Sequence, residues 1–415
     1  MHSRLDGIED PTLLPRASLL RVLEGVAVAT KAPKAEVEIL RNLIREFQYM
    51  HAPCRSVEDP SEPAEDIDHP DFTQWCRLLA GVTGSKGQGL RQLVQVTLAI
   101  ALLRERARRE LAVDSTRVDK IWSLVHDAIV SAPGTAIQFT VLRSSQGFLS
   151  VPLCSLLEEG QIDELWRLHA WLPDQHRGVE EVGIHAHQPF GQSWTLLGTG
   201  TDHTFEIDTP EDSSLATHAE YEPYWTSAVA NKSAGTSSYQ TFPAASTIRN
   251  TGRLVRVKHV TQSSHSRDMS YSVPAGVYHR SDVPGHRLHA TLFVFDSYRG
   301  FKVNAGVVGP KDGSEYVQPR DPADLTAEVI AQIVHATRGW EQTSGDDIEL
   351  RDDYSLPVGY YRFFRGMNLV RSGQRDEAMH HIQPFGEDAL EHVFNRAPSE
   401  EHERYIQQLR QLAVT

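Results

Sequence analysis

A run of short alternating segments in the middle of the chain constrains the fold more than any other feature. Stretches rich in apolar and β-branched residues are separated there by turn residues, and apolar side chains alternate along several of them, as between Leu288 and Val294. This period of two is typical of half-buried strands, and many short strands predict a β-sandwich or a β-barrel. The predicted strands are Glu181–His187, Ser193–Leu197, His203–Ile207, Leu254–Val260, Met269–Val273, Leu288–Phe295 and Phe301–Val308.

Helical periodicity dominates both ends of the chain. Apolar residues recur at helical spacing through residues 10–50, where Pro33 separates two runs. Gly81–Gly89 lacks the spacing of a phosphate-binding loop, so we interpret it as a turn between helices. Further predicted helices are Phe72–Leu79, Leu90–Leu111, Val118–Ile129, Ser155–Leu168, Ala327–Ala336 with a cap at Thr326 or an earlier polar residue, Tyr360–Val370 and Ser399–Leu412.

These patterns divide the chain into three predicted regions. An all-helical domain would span residues 1–132, a β-barrel domain residues 133–318 and a helical region residues 319–415. Within the β region, residues 209–250 form a polar insertion rich in Ser, Thr and Ala. A segment of this length in a compact domain is usually a lid, an arm or an interaction loop, and the sequence leaves all three open.

Charge and cysteine content exclude several classes of protein. A formal net charge of −14 at pH 7 disfavours binding to nucleic acid or to an anionic membrane. Three cysteines without a Cys-x-x-Cys pair favour a reducing compartment. The N-terminus lacks the pattern of a signal peptide, and the longest apolar run, Val96–Leu103, is too short to span a bilayer. We therefore expect a soluble cytoplasmic protein.

Three histidines are the main candidates for chemistry. His185 and His187 are two positions apart in a predicted strand, so their side chains should face the same side. His279 ends the segment Pro274–His279, where a proline and a glycine predict a turn. Because neutral imidazole is a common ligand of transition metals, the sequence predicts a metal site made by these three residues.

The two histidine segments resemble the two motifs of the cupin superfamily. The family's first motif is His-x-His, then a glutamate after three or four residues; its second is Pro-x-Gly-x2-His. His185 and His187 match the start of the first, and Pro274, Gly276 and His279 match the second in full. The resemblance covers about residues 175–310. It implies an α+β chain in which a cupin jelly-roll barrel, flanked by helices, holds a metal through the three histidines.

Gln192 stands at the position of the family's glutamate. Without that carboxylate, three neutral imidazoles leave the charge of a divalent ion uncompensated, so the site should prefer an anionic chelating ligand. We interpret Gln192 as a hydrogen-bonding neighbour of a histidine or of substrate, with weak metal ligation and solvent exposure as alternatives.

Two further residues are candidates for the catalytic site. His203 shares an alternating face with Phe205 and Ile207, and Tyr271 lies close to the second motif. Either side chain could line the pocket, His203 by shaping it and Tyr271 by supplying a hydroxyl group. Packing is the alternative for both.

The three-histidine arrangement resembles that of the three-histidine cupins of the cysteine dioxygenase branch. That resemblance implies a mononuclear Fe(II) dioxygenase that binds a small-molecule substrate beside dioxygen. The branch's Ser-x-His-x-Tyr triad is missing from residues 290–296, which argues against a thiol substrate. We expect an oxidoreductase acting on a small anionic chelating metabolite. The alternatives are a Zn, Mn or Ni isomerase, lyase or hydrolase, and a non-enzymatic metal- or ligand-sensing scaffold. A homodimer is compatible with the resemblance, because cupin barrels commonly pair through sheet edges.

Overall fold

The computed structural model describes most of the first 344 residues and a few later positions. The described residues are 10–50, 70–131, 135, 137–159, 161–224, 245–319, 325–344, 361, 362, 365, 369, 374 and 377. They form a mixed α/β structure with six α-helices and two antiparallel sheets. The helices are α1 (Arg16–Thr30), α2 (Lys34–Met50), α3 (Phe72–Lys86), α4 (Gln88–Arg108), α5 (Ser115–Val130) and α6 (Ala327–Ser344).

The helix boundaries follow local capping chemistry. Asp71 caps α3 in a capping box with Gln74, and Asp114 caps α5. Thr326 accepts a hydrogen bond from the amide of Val329 at 3.3 Å, which confirms the predicted start of α6. The predicted turn at 81–89 is much shorter than expected: α3 continues to Lys86, and the break falls at Gly87, whose φ of 106° favours glycine.

Thirteen strands build the two sheets among the described residues. They are β1 (Leu142–Arg143), β2 (Leu149–Glu158), β3 (Gln161–Trp171), β4 (Ile184–His185), β5 (Pro189–Leu197), β6 (Gly200–Asp208), β7 (His218–Tyr224), β8 (Ala245–His265), β9 (Ser270–Val273), β10 (Tyr278–Asp282), β11 (His289–Phe301), β12 (Val307–Gly309) and β13 (Glu315–Pro319). The first sheet has the order β1-β2-β3-β11-β5-β9. The second has the order β13-β8-β6-β10-β4-β12-β7, and β7 also pairs with β8. Each predicted strand overlaps an observed one.

The helix predicted at Ser155–Leu168 is wrong. These residues belong to β2 and β3, which pair as an antiparallel hairpin in the first sheet. Both strands are buried along most of their length. A strand that is covered on both faces has no clear polar alternation, so its apolar run is easily mistaken for a buried helix.

The first sheet lies between the helices and the second sheet. Leu292 and Val294 of β11 belong to the main hydrophobic cluster, which also contains Leu23 of α1 and Trp122 of α5. The alternate residues of β11 point the other way, and Phe295 belongs to a small separate cluster with Leu165. The helices and the β region therefore share one core, and the opposite face of the first sheet is left for the site.

Buried ion pairs add to the contact between the helices and the first sheet. Arg104 of α4 binds the carboxylate of Glu164 of β3 at 2.8 Å, and Glu164 is fully buried. Arg108 of α4 reaches the same carboxylate at 2.9 Å and that of Asp296 at 3.1 Å.

The flanks of the polar insertion are strands. β7 pairs with the first half of β8 and, along its other edge, with β12, which is the neighbour of β4. Residues 225–244 lie outside the described part of the chain, as do most of the helices predicted at Tyr360–Val370 and Ser399–Leu412. Among the described helices, none combines the length and the apolar character that a membrane crossing requires.

Candidate metal centre

The structure brings His185, His187 and His279 together, and we call this group the histidine triad. One potential ligand atom from each side chain lies within 4.8 Å of the other two. His279 of β10 is directly opposite His185 of β4 in the sheet register, so both side chains point to the same face. His187 follows β4 and completes the group, with ring centroids 4.7 Å from His185 and 4.9 Å from His279.

A tight turn sets the position of the third histidine. Gly276 has a φ of 75°, which residues other than glycine rarely adopt, and a Cβ there would lie 2.9 Å from the side chain of Lys302. The amide of Gly276 donates a hydrogen bond to the carbonyl of His187 at 2.8 Å. The Pro-x-Gly sequence therefore serves to dock the start of β10 against the backbone of the first motif.

The hydrogen bonds of the triad leave nitrogen lone pairs available. His185 Nδ1 lies 2.9 Å from the carbonyl oxygen of Gly183, which can only accept, so Nδ1 carries the proton and Nε2 carries the lone pair. His279 Nδ1 lies 3.4 Å from a carboxylate oxygen of Asp202. His279 Nε2 is buried without a hydrogen-bond partner. A buried nitrogen of this kind is costly unless something binds it, and a metal ion at the triad would do so.

Burial keeps two histidines of the triad, His185 and His187, in the unprotonated form that a metal ligand requires. Burial lowers the pKa of His185 to about 3, with a further contribution from the neighbouring His279. Burial and the adjacent histidines hold the pKa of His187 well below its usual value. Because a metal ligand must be unprotonated, these residues are ready to bind a cation at neutral pH.

The wall beside His187 is apolar. The ring centroid of Phe295 lies 4.7 Å from that of His187, and Phe293 packs edge-on against Phe295. Gly191 of β5 faces the same space, and a Cβ at this position would be 3.4 Å from the ring of Phe293. The first sheet thus presents aromatic rings and a residue without a side chain to the triad.

A buried carboxylate lies behind the triad. Asp202 of β6 accepts a hydrogen bond from Ser281 Oγ at 2.6 Å, in addition to its contact with His279. His265 Nε2 lies 3.8 Å from its other oxygen. Burial alone would raise the pKa of Asp202, but the hydrogen bond and charge of His279 and the bond from Ser281 hold it below its usual value. Asp202 is therefore held as an anion beside His279.

Tyr271 approaches the triad only through Asp202. In the sheet register it is opposite Ser193, on the face of the first sheet that points to the second sheet. Its ring stacks on His265 with the centroids 4.0 Å apart. Burial and the charge of Asp202 raise the pKa of Tyr271, and its hydroxyl interacts with Ser193 and Asp202. Tyr271 thus faces the interior, as the sequence suggested, and joins the carboxylate rather than the imidazoles.

Gln192 is not at the triad. It is opposite Val294 in the register of β5 and β11, and Val294 packs in the core beneath the helices. Its side-chain oxygen accepts a hydrogen bond from Arg299. The interpretation of Gln192 as a neighbour of the histidines therefore requires correction. The cupin motif allows three or four residues between the second histidine and the glutamate. Four intervening residues after His187 lead to Gln192, whereas three lead to Gly191, which is on the inner face of the first sheet.

His203 also points away from the triad. It alternates with Asp202 along β6 and lies opposite Arg280, so its side chain is on the other face of the second sheet. There its Nδ1 lies 3.1 Å from His259, and its Nε2 lies 3.2 Å from the carboxylate of Asp282. The prediction that His203 shapes the pocket is corrected by this placement.

Comparisons with known proteins leave the site to be interpreted from its own geometry. No family model matches the sequence, and a search of curated proteins returns no match.

Sequence reasoning missed Asp202. Asp202 immediately precedes His203, the candidate residue on the same strand, so the two side chains point to opposite faces of the sheet. The one available signal was the acidic residue itself within a predicted strand, where a charged side chain is unusual on the buried face.

Proposed function

We propose that this protein is a three-histidine metalloenzyme of the cupin type. Its function would be that of a mononuclear non-haem Fe(II) oxygenase acting on a small, anionic, chelating metabolite. The observation that carries the proposal is the convergence of three imidazoles at one point between two antiparallel sheets. The Pro-x-Gly-x2-His segment supports the cupin type, because its turn docks directly on His187.

The ligand set favours an anionic substrate. The triad contains no carboxylate, so its three ligand atoms are neutral and would not offset the charge of a divalent ion. An anionic chelating group on the substrate would supply the negative charge that offsets the charge of the metal ion. Imidazole ligands suit Fe, Zn, Cu and Ni, and among these a ferrous ion would supply the redox chemistry needed to activate dioxygen.

The surrounding residues have separate tasks in this proposal. Gly183 orients His185 through its carbonyl oxygen, and the docking of Gly276 holds His279 close to His187. Phe295 and Phe293 form an apolar wall that excludes water beside His187. The absence of a side chain at Gly191 lets the ring of Phe293 lie close to β5, where an added Cβ would be 3.4 Å from that ring.

Metal analysis tests the site. Protein purified under anaerobic conditions should contain about one iron per chain, and His279→Ala should lose it. His286→Ala is the matched control, because His286 is an exposed histidine on the segment that follows β10. Zinc in place of iron would favour the redox-inert alternative, and the absence of any bound metal would contradict the metal site.

Oxygen consumption tests the reaction class. The iron-loaded protein should consume dioxygen with at least one member of a panel of small chelators that includes diketones, catechols and thiols. We expect the diketones and catechols to be preferred. A protein that holds one iron per chain and consumes no dioxygen with the whole panel would contradict the oxygenase proposal while leaving the metal site intact.

A further inference from the structure

Asp202 combines burial, charge and contact with the triad in a way that packing does not explain. Its side chain is 9% exposed, and it lies inside the second sheet on the face that carries His279. Taking a carboxylate out of water is costly unless several donors surround it. A neutral residue of similar size would avoid that cost, so the charge of Asp202 points to a function of this residue.

The sheet register aims the carboxylate at His279. Asp202 is directly opposite Ser281, two positions after His279 on β10, so all three side chains project from the same face. Ser281 Oγ donates to Asp202 Oδ1 at 2.6 Å, and the same oxygen faces His279 Nδ1 at 3.4 Å. The serine therefore holds the carboxylate in the orientation in which it can accept from the imidazole.

Two further aromatic side chains lie close to Asp202. His265 Nε2 lies 3.8 Å from Oδ2, and Tyr271, which stacks on His265, approaches from the first sheet. Asp202 is thus held from β10 and β8 of the second sheet and from β9 of the first. These contacts fix the position of the Asp202 carboxylate, which lies behind the triad and is not one of its potential metal ligands.

We infer that Asp202 is a positioning residue of the metal site, and this inference rests on the proposed function. By accepting from His279 Nδ1, it holds the imidazole in the tautomer whose Nε2 lone pair points into the triad. It also places one negative charge behind a neutral ligand set, which partly replaces the glutamate that the site lacks. The Nε2 atom of His279 is buried without a hydrogen-bond partner, as expected of a nitrogen whose lone pair is kept for a metal ion.

Cobalt(II) binding tests the inference. Titration of the metal-free full-length protein, followed by visible absorption and by competition with a chelator, gives both the coordination geometry and the affinity. Asp202→Asn should weaken binding by about 10- to 100-fold, the usual effect of removing the carboxylate partner of a ligating histidine. Its cobalt spectrum should also change, because an unfixed imidazole alters the ligand field.

Asp282→Asn is the matched control. It removes the same unit of charge from β10, but Asp282 contacts His203 and Arg280 on the opposite face of the sheet. Its cobalt affinity and spectrum should remain those of the wild type. If Asp202→Asn and Asp282→Asn weaken binding equally, net charge rather than position explains the effect, and the inference is overturned.

A measurement on the wild type makes the test independent of the stability of the variant. In the metal-free protein, ¹⁵N–¹H spectra of the histidine side chains should show His279 protonated at Nδ1, and a proton on Nε2 would overturn the inference. If the wild type fails to bind cobalt, the metal site itself is contradicted and this role falls with it. If the wild type binds cobalt and a folded Asp202→Asn binds it equally well, only the role of Asp202 is contradicted.

Discussion

The depressed pKa of His185 predicts how the stability of the metal-free protein depends on pH. In the unfolded chain a histidine has a pKa of about 6.5, whereas burial in the fold lowers that of His185 to about 3. Between these two values the unfolded chain binds a proton that the folded protein does not. The free energy of unfolding should therefore fall as the pH falls from 6.5 towards 3.

The two pKa values set the size of this effect. Integrating the difference in proton binding gives a loss of about 2 kcal/mol from His185 between pH 7 and pH 5. His185→Gln should remove that share while the contributions of the other buried histidines stay in place. The variant's free energy of unfolding should consequently depend less steeply on pH than that of the wild type.

Denaturant unfolding at pH 7, 6 and 5, in the presence of a metal chelator, measures the difference. The loss in free energy of unfolding from pH 7 to pH 5 should be larger in the wild type than in His185→Gln by about 2 kcal/mol. His286→Gln, a substitution of the same kind at an exposed position, should retain the wild-type dependence. Parallel curves for the wild type and His185→Gln would refute the assignment of His185 as a histidine held neutral by the fold.

Three further predictions concern residues away from the triad. Gln192→Glu should leave metal content unchanged, because its side chain meets Arg299 on the helix side of β5; a tighter metal affinity in a competition assay would contradict this placement. His203→Ala should also keep the wild-type metal affinity, since His203 is on the far face of the second sheet, and loss of metal would refute that orientation. Glu164→Gln should destabilise the fold by about 3–5 kcal/mol, because it removes the buried carboxylate that both Arg104 and Arg108 bind, and a change below about 1 kcal/mol in denaturant unfolding would show that these ion pairs are dispensable.

Local patterns in the sequence determined much of the architecture. The alternating segments from residue 181 onward predicted strands that are present, and helical periodicity predicted α1 to α6. The helix predicted at Ser155–Leu168 failed because consecutive residues of β2 and β3, which point to opposite faces of the sheet, are both buried along most of the hairpin. In such a segment the local pattern no longer carries the period that separates a strand from a helix.

The histidine triad was also readable from the sequence. Two histidines in His-x-His and one after a Pro-x-Gly turn are local features, and the structure brings all three within 4.8 Å of one another. Their convergence also required β4 and β10 to be neighbours in one sheet, which the structure shows.

Only the tertiary structure decided which neighbours the triad has. Side-chain alternation predicts that Asp202 and His203 point to opposite faces, and the same holds for Gly191 and Gln192. It does not predict which member of each pair points inward. That choice is made by strand register, and register depends on contacts such as the one between Asp202 and His279, which are 77 positions apart in the chain. The sequence by itself therefore determined the three histidines of the triad, while the fold determined that a glycine and a buried carboxylate, rather than Gln192 and His203, accompany them.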